Sequence, residues 1–227
     1  MCVTMAAGGK EDVKRDSVVI GELTSGSLHK LNNLLQGIVG LSELLNSNPD
    51  LPEEAKSDAQ AILDIAEDAS ALIRKIREAS RATVTPAPEV SEIIPATKLV
   101  SKKTRKEINI LVAEDDPLVL NVVTGMLKHL GYATISARDG VEAFQVFNEN
   151  VDRIGLVITD MVMPLLGGLE LTAKILAIRP TTKVVVMTGY LQEDLQIDPD
   201  EFGLSGWLEK PMTAERLRQL VDSIVKK

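Results

Sequence analysis

Cysteine is almost absent from this chain: Cys2 is the only one in 227 residues. No internal disulfide or thiolate metal site can form, a usage that fits a reducing compartment and makes the cytoplasm the expected location. Aromatics are scarce as well, at three Phe, two Tyr and one Trp. Ala, Leu, Ile and Val carry the apolar content, which suits helix bundles and parallel sheets better than β-sandwiches. No apolar run approaches the roughly 18 to 20 residues of a membrane span, and the N-terminus lacks the apolar stretch of a secretory signal. Dense positive charge is missing: the formal net charge is -8, and the one basic run, Lys102, Lys103, Arg105 and Lys106, reads as a solvated linker. That excludes a sequence-independent grip on nucleic acid, which needs clustered cations to displace phosphate counterions. Neither a P-loop nor a protein-kinase motif set occurs, so unaided use of ATP is not expected.

What is present divides into two regions. From about Glu11 to Leu45 the pattern is one long helix, broken by Asn46-Ser47-Asn48-Pro49-Asp50-Leu51-Pro52, a run of turn formers. Pro52-Glu53-Glu54 then opens a second helix, with Ile62, Ile65, Ala69, Ile73, Ile76 and Ala79 at helical spacing. Two helices joined this way form an antiparallel hairpin with an unsatisfied apolar seam, so the expected all-α N-terminal unit (1–82) pairs with a second copy as a four-helix bundle. Residues 83–106, with Pro86, Pro88 and Pro95, read as a linker. In 107–227, strands near 108–113, 133–137, 156–159, 184–188 and 206–209 alternate with helices near 117–130, 140–149, 168–178 and 213–226. This is the signature of an α/β doubly wound, five-stranded parallel sheet.

Chemistry concentrates at the strand exits of that second region. ILVAEDDPL (110–118) runs into Glu114, Asp115 and Asp116, and LVIT (156–159) delivers Asp160, where open α/β sheets bind ligands. Crowded carboxylates raise one another's pKa unless a cation neutralises them, and oxygen ligands favour a hard divalent ion such as Mg2+. VVVMTG (184–189) ends on the hydroxyl of Thr188, and GWLEKP (206–211) on the ammonium of Lys210. Metal-binding acids, a carboxylate nucleophile, a hydroxyl and a fixed cation make a phosphoryl-transfer site. Residues 108–227 resemble a response-regulator receiver domain, a flavodoxin-like fold. The resemblance implies that Asp160 is phosphorylated and that Glu114, Asp115, Asp160 and the backbone carbonyl of Val162 hold Mg2+. It also implies that Thr188 and Lys210 contact the phosphoryl oxygens, with Trp207 at the switch-aromatic position. The stretch 191–205, interrupted by Pro199, departs from the fourth helix such domains have, and Gly167 replaces a commonly acidic residue.

On a helical wheel of the first helix, Ile20, Leu23, Leu31, Leu34, Ile38, Leu41 and Leu45 share one face, expected to be the bundle core. His29 falls about 180° from Ile20, expected to point to solvent, on a strip with Glu22, Ser25, Asn33, Gln36 and Gly40. Gly26, Gly37 and Gly40 flank that strip at a cost of up to ~1 kcal/mol each in helix propensity, which implies that another surface, such as a docking receiver, approaches closely. GELTSGSLHKLNNLLQGIVGLSELL (21–45) resembles the phospho-accepting helix of histidine kinases, implying a dimerisation and histidine phosphotransfer hairpin with His29 as its phosphorylated residue. Asn33 stands where related proteins position a water for dephosphorylating a partner. The family's acidic residue after the histidine is Lys30 here, and the linker has no room for the kinase ATP-binding domain. The expected function is thus a phosphorelay protein acting through His29 and Asp160, homodimeric through its hairpin, with a histidine kinase or a response regulator as partner. Two alternatives stand beside it: a dimeric response regulator whose hairpin is only a binding module, and a split histidine kinase served by an ATPase domain in trans.

Overall fold

The structure is a computed structural model that describes residues 9–81, 109–189 and 198–225, with side chains of the first stretch described over 26–75. The expected linker lies outside the described residues, as do 191–197 of the irregular stretch. The remainder of that stretch, 198–205, runs as turns into the last strand.

Helix α1 spans Gly9–Asn46 and α2 Glu53–Arg81. Glu53 and Glu54 sit in the first turn of α2, where carboxylates complement the helix dipole. The seam between the helices is built by Leu28, Leu35 and Val39 of α1 against Leu63, Ala66, Ala69 and Ile73 of α2. The face expected to line a bundle core is not this seam, and its Ile20 and Leu23 lie outside the residues whose side chains are described. Leu31, Leu34, Ile38, Leu41 and Leu45 stay exposed on the single chain, as do Ile62 and Ile65 of α2, because a wide apolar arc offers more surface than one partner helix can cover. No helix among the described residues is long and apolar enough to cross a membrane.

The second region contains β1 (Asn109–Ala113), α3 (Pro117–His129), β2 (Ala133–Ala137), α4 (Gly140–Glu149), β3 (Ile154–Asp160), α5 (Gly168–Ile178), β4 (Lys183–Thr188), β5 (Gly206–Glu209) and α6 (Ala214–Val225). All strand pairs are parallel, in the order β2-β1-β3-β4-β5. The inner strands β1, β3 and β4 are apolar and buried through their middles, at 110–113, 156–158 and 184–187, because helices cover both faces. One core layer, with Ile110, Val112, Ile158 and Val185, meets Val123 and Leu127 of α3 and Leu217 and Val221 of α6. The other, with Leu111, Val157 and Val186, meets Phe147 of α4 and Leu171 and Ile175 of α5.

The two regions touch directly. Helix α1 packs along α3, and Gln36, fully buried, bonds the main chain of Met212 twice: its Nε2 donates to the carbonyl at 3.1 Å and its Oε1 accepts from the amide at 2.6 Å. Glu43 Oε2 accepts from the Ala214 amide at 2.8 Å, and Asn32 Nδ2 donates to the Gly189 carbonyl at 2.9 Å.

Candidate functional site

The strand order makes the site. Chain direction across the sheet reverses between β1 and β3, leaving a crevice at their carboxyl ends. Ala113 pairs with Thr159, so the next residues, Glu114 and Asp160, emerge side by side. Of the three acids after β1, Asp116 is a helix cap: its side chain accepts from the amides of Leu118 and Val119 while Pro117 opens α3. Glu114, Asp115 and Asp160 remain for chemistry, and their carboxylate oxygens lie within 4.8 Å of one another.

Lys210 closes the cluster. Its backbone amide donates to the Thr188 carbonyl at 2.7 Å, tying the β5 exit to the β4 exit. Its ammonium donates to Glu114 Oε2 at 2.7 Å and to Asp160 Oδ2 at 2.9 Å, with all three groups buried. Asp160, only 1% exposed, takes its second bond on Oδ1 from the Met161 amide at 2.7 Å. Burial pushes the Glu114 carboxyl up to about 8, the Asp160 charge adds to this, and Lys210 offsets only part. Burial pulls the Lys210 ammonium downward, but Glu114 and Asp160 outweigh it and hold the group above its ordinary value. Asp115, exposed at the rim, is raised by burial of its carboxyl and by Asp160. Gly168 lies against the Asp160 main chain so closely that a Cβ there would overlap the Asp160 carbonyl. Thr188 is buried at the next strand exit, and Val162 sits in the loop after β3 with its side chain exposed.

His29, expected to point to solvent, is half-buried. Its strip of α1 is the one laid against the receiver crevice, and its Nδ1 is buried without a hydrogen-bond partner among the described residues. Its Nε2 lies 3.5 Å from Asn33 Nδ2, and Asn33 Oδ1 accepts from the Lys210 ammonium at 3.4 Å. His29 is also close enough to Asp115 to lower that carboxyl's pKa, although burial and Asp160 prevail. The structure therefore brings His29, Asn33, Lys210, Glu114, Asp115 and Asp160 into one continuous cluster. Lys30 stands apart, exposed.

Sequence reasoning missed Asn32 and Glu43. The available signal was spacing: Asn32, Gln36, Gly40 and Glu43 recur every three or four residues along one line of α1.

Acidic side chains at a topological switch point, a buried ammonium and a strand-end hydroxyl stand together in an α/β fold of the flavodoxin-like class. The family model of the response regulator receiver domain matches residues 110–222, and this part of the chain is such a receiver domain. The transcriptional regulatory protein GlrR of Escherichia coli is 28% identical over 119 residues, covering 52% of this chain and 26% of that protein. The sensor histidine kinase RcsC of Salmonella typhi is 31% identical over 130 residues, covering 57% of this chain and 13% of that one. The chain thus spans a small part of these relatives' length. A solved receiver domain protein of Clostridium thermocellum is 31% identical with a TM-score of 0.50, covering 52% of this chain and 94% of that one. The CheX–CheY complex of Borrelia burgdorferi, solved with beryllofluoride and Mg2+, shares the fold at 24% identity and a TM-score of 0.51, over 53% of this chain and 90% of that one.

Proposed function

We propose that the protein is a phosphorelay component that accepts a phosphoryl group on Asp160 and exchanges it with His29. The observation that carries this reading is the unbroken line from His29 through Asn33 and Lys210 to Asp160. A hairpin that merely dimerised the receiver would have no reason to lay its polar strip on the receiver's crevice.

In the forward step an Asp160 carboxylate oxygen forms the O–P bond while the donor's N–P bond (a phosphohistidine) or acyl O–P bond breaks, its electron pair leaving with the imidazole or carboxylate. In this reading Lys210, bonded to Asp160, and Thr188 pair with the phosphoryl oxygens, and the Met161 amide holds the carboxylate in orientation. Glu114, Asp115, Asp160 and the Val162 carbonyl would hold Mg2+, and three clustered carboxylates with one rim residue exposed fit a hard cation. When bound, such a cation neutralises charge on the phosphoryl oxygens. Asn33, bonded to Lys210, is placed to orient a water for hydrolysis of the same group. The exposed leucine face of the hairpin supports a homodimer, and a histidine kinase or second regulator is the expected outside partner.

The test incubates wild type, Asp160→Ala and His29→Ala with an acyl phosphate and, separately, with a phosphorylated histidine kinase. Base-labile label that vanishes in Asp160→Ala is expected from both donors, and its persistence in that variant would refute the receiver chemistry. Label on Asp160 with none on His29 from any donor would instead favour the hairpin as a binding module.

A further inference from the structure

The Lys210 ammonium donates to Glu114 Oε2 at 2.7 Å, to Asp160 Oδ2 at 2.9 Å and to Asn33 Oδ1 at 3.4 Å, which uses every proton such a group carries. The first two acceptors belong to the receiver and the third comes from the hairpin. That third bond is the longest, beyond the usual range, so the carboxylates hold the ammonium away from Asn33 and leave the contact room to shorten. Both groups are enclosed, with Lys210 4% and Asn33 5% exposed, and a charge at that depth needs a hydrogen-bond partner from the protein. Asn33 is held in place. Its neighbours Asn32 and Gln36 bond the main chain at Gly189 and Met212, and α1 lies so near α3 that a Cβ on Gly40 would overlap Val122 Cγ1. The acids that grip Lys210 are also among those that would hold Mg2+. A dication and an ammonium on the same carboxylates repel each other, so Glu114 and Asp160 cannot serve both in full.

We propose that Asn33 is a positioning residue for the metal-bound receiver: its side-chain oxygen takes up the Lys210 ammonium as Glu114 and Asp160 turn to Mg2+, so that cation binding and hairpin docking strengthen each other. The proposal rests on the reading that Glu114, Asp115 and Asp160 hold Mg2+, and it is separate from phosphoryl exchange with His29. In the metal-free site the Asn33 contact is stretched and shared. Once the acids turn to the cation it becomes the ammonium's main hydrogen bond, and bonds to a charged group contribute more than neutral ones even against water. That gain belongs to the docked state. Linkage makes it reciprocal: whatever factor Mg2+ adds to docking, docking adds to Mg2+ affinity.

Magnesium chloride is the probe, titrated into the full chain after EDTA treatment. Binding is followed by NMR at the amides of Asp115 and Met161, and docking by hydrogen exchange of the Met212 and Ala214 amides, which donate to Gln36 and Glu43. In wild type, saturating Mg2+ should raise protection of both docking amides at least about fivefold, while the strand amides of Leu111 and Val157 keep theirs. Asn33→Ala should weaken Mg2+ affinity at least about fivefold and abolish the gain in protection, with the same strand amides as the check on folding. Lys210→Met, which takes away the ammonium, should bind Mg2+ more tightly than wild type, and adding Asn33→Ala to it should change affinity by less than about twofold. Equal affinity in wild type and Asn33→Ala, or docking protection in wild type that Mg2+ leaves unchanged, would overturn the proposal. So would an Asn33→Ala loss that persists beside Lys210→Met, which would make Asn33 a packing residue only. Wild-type amides that no Mg2+ concentration shifts would refute the metal reading itself.

Discussion

Lys210 bridges Glu114 and Asp160 in a site without exposed charge at either bond, and removing one partner of such a buried arrangement leaves the others uncompensated. Lys210→Ala should cost about 3 kcal/mol in urea unfolding with EDTA present, the low end of the range for buried ion pairs because Glu114, already pushed up to about 8, takes a proton readily. Added Mg2+ should narrow the gap by supplying the missing positive charge. A loss that Mg2+ leaves unchanged would speak against a cation at these carboxylates. At this scale the site was largely legible: each strand exit could be read from a β-rich run ending in a polar residue. Which of the three consecutive acids serves the helix was not legible, since Asp116 becomes a cap only through the turn that comes after it.

Helix α1 is where periodicity told half the story. The wheel separated a leucine face from a polar strip correctly, yet could not say which surface meets which, because that depends on a receiver more than 70 residues away in the chain. The intra-hairpin seam fell on Leu35 and Val39, between the two faces, and His29 turned inward. Glu43 gives this docking a pH dependence. Burial raises its carboxyl pKa, the Ala214 amide offsets part of that, and Glu67 adds to it. An acid held above its ordinary value docks more readily with its proton on. Protection of the Met212 amide should therefore decrease as pH rises from the ordinary carboxylate range, near 4.5, through the raised value. In Glu43→Gln, which keeps the acceptor and removes the charge, that slope should flatten. An unchanged slope would place the titrating group elsewhere.

For the whole molecule, one face of the hairpin is committed to the receiver and the opposite face is bare, with Leu34 49% and Ile65 69% exposed. Aliphatic side chains repeated along two helices exceed what an isolated hairpin leaves open without a partner. Leu34→Glu with Ile38→Glu should convert a dimer into a monomer in light scattering while labelling of Asp160 by an acyl phosphate continues, and a wild-type monomer at micromolar concentration would refute this assembly. The pair of long helices and the α/β region could be read from periodicity and turn formers. Their mutual docking could not, except through the glycines whose cost had no local explanation.

The most direct measurement tracks one phosphoryl group between the two halves. Phosphoramidate, whose N–P bond can load either residue, is added to wild type, Asp160→Ala and His29→Ala, the last measuring direct loading of Asp160, and acid-labile and base-labile label are located on the His29 and Asp160 peptides over time. The predicted result is acid-labile label that accumulates on His29 in Asp160→Ala and drains in wild type as base-labile label rises on Asp160. His29 label of equal size and lifetime in both proteins, or none in either, would contradict the account.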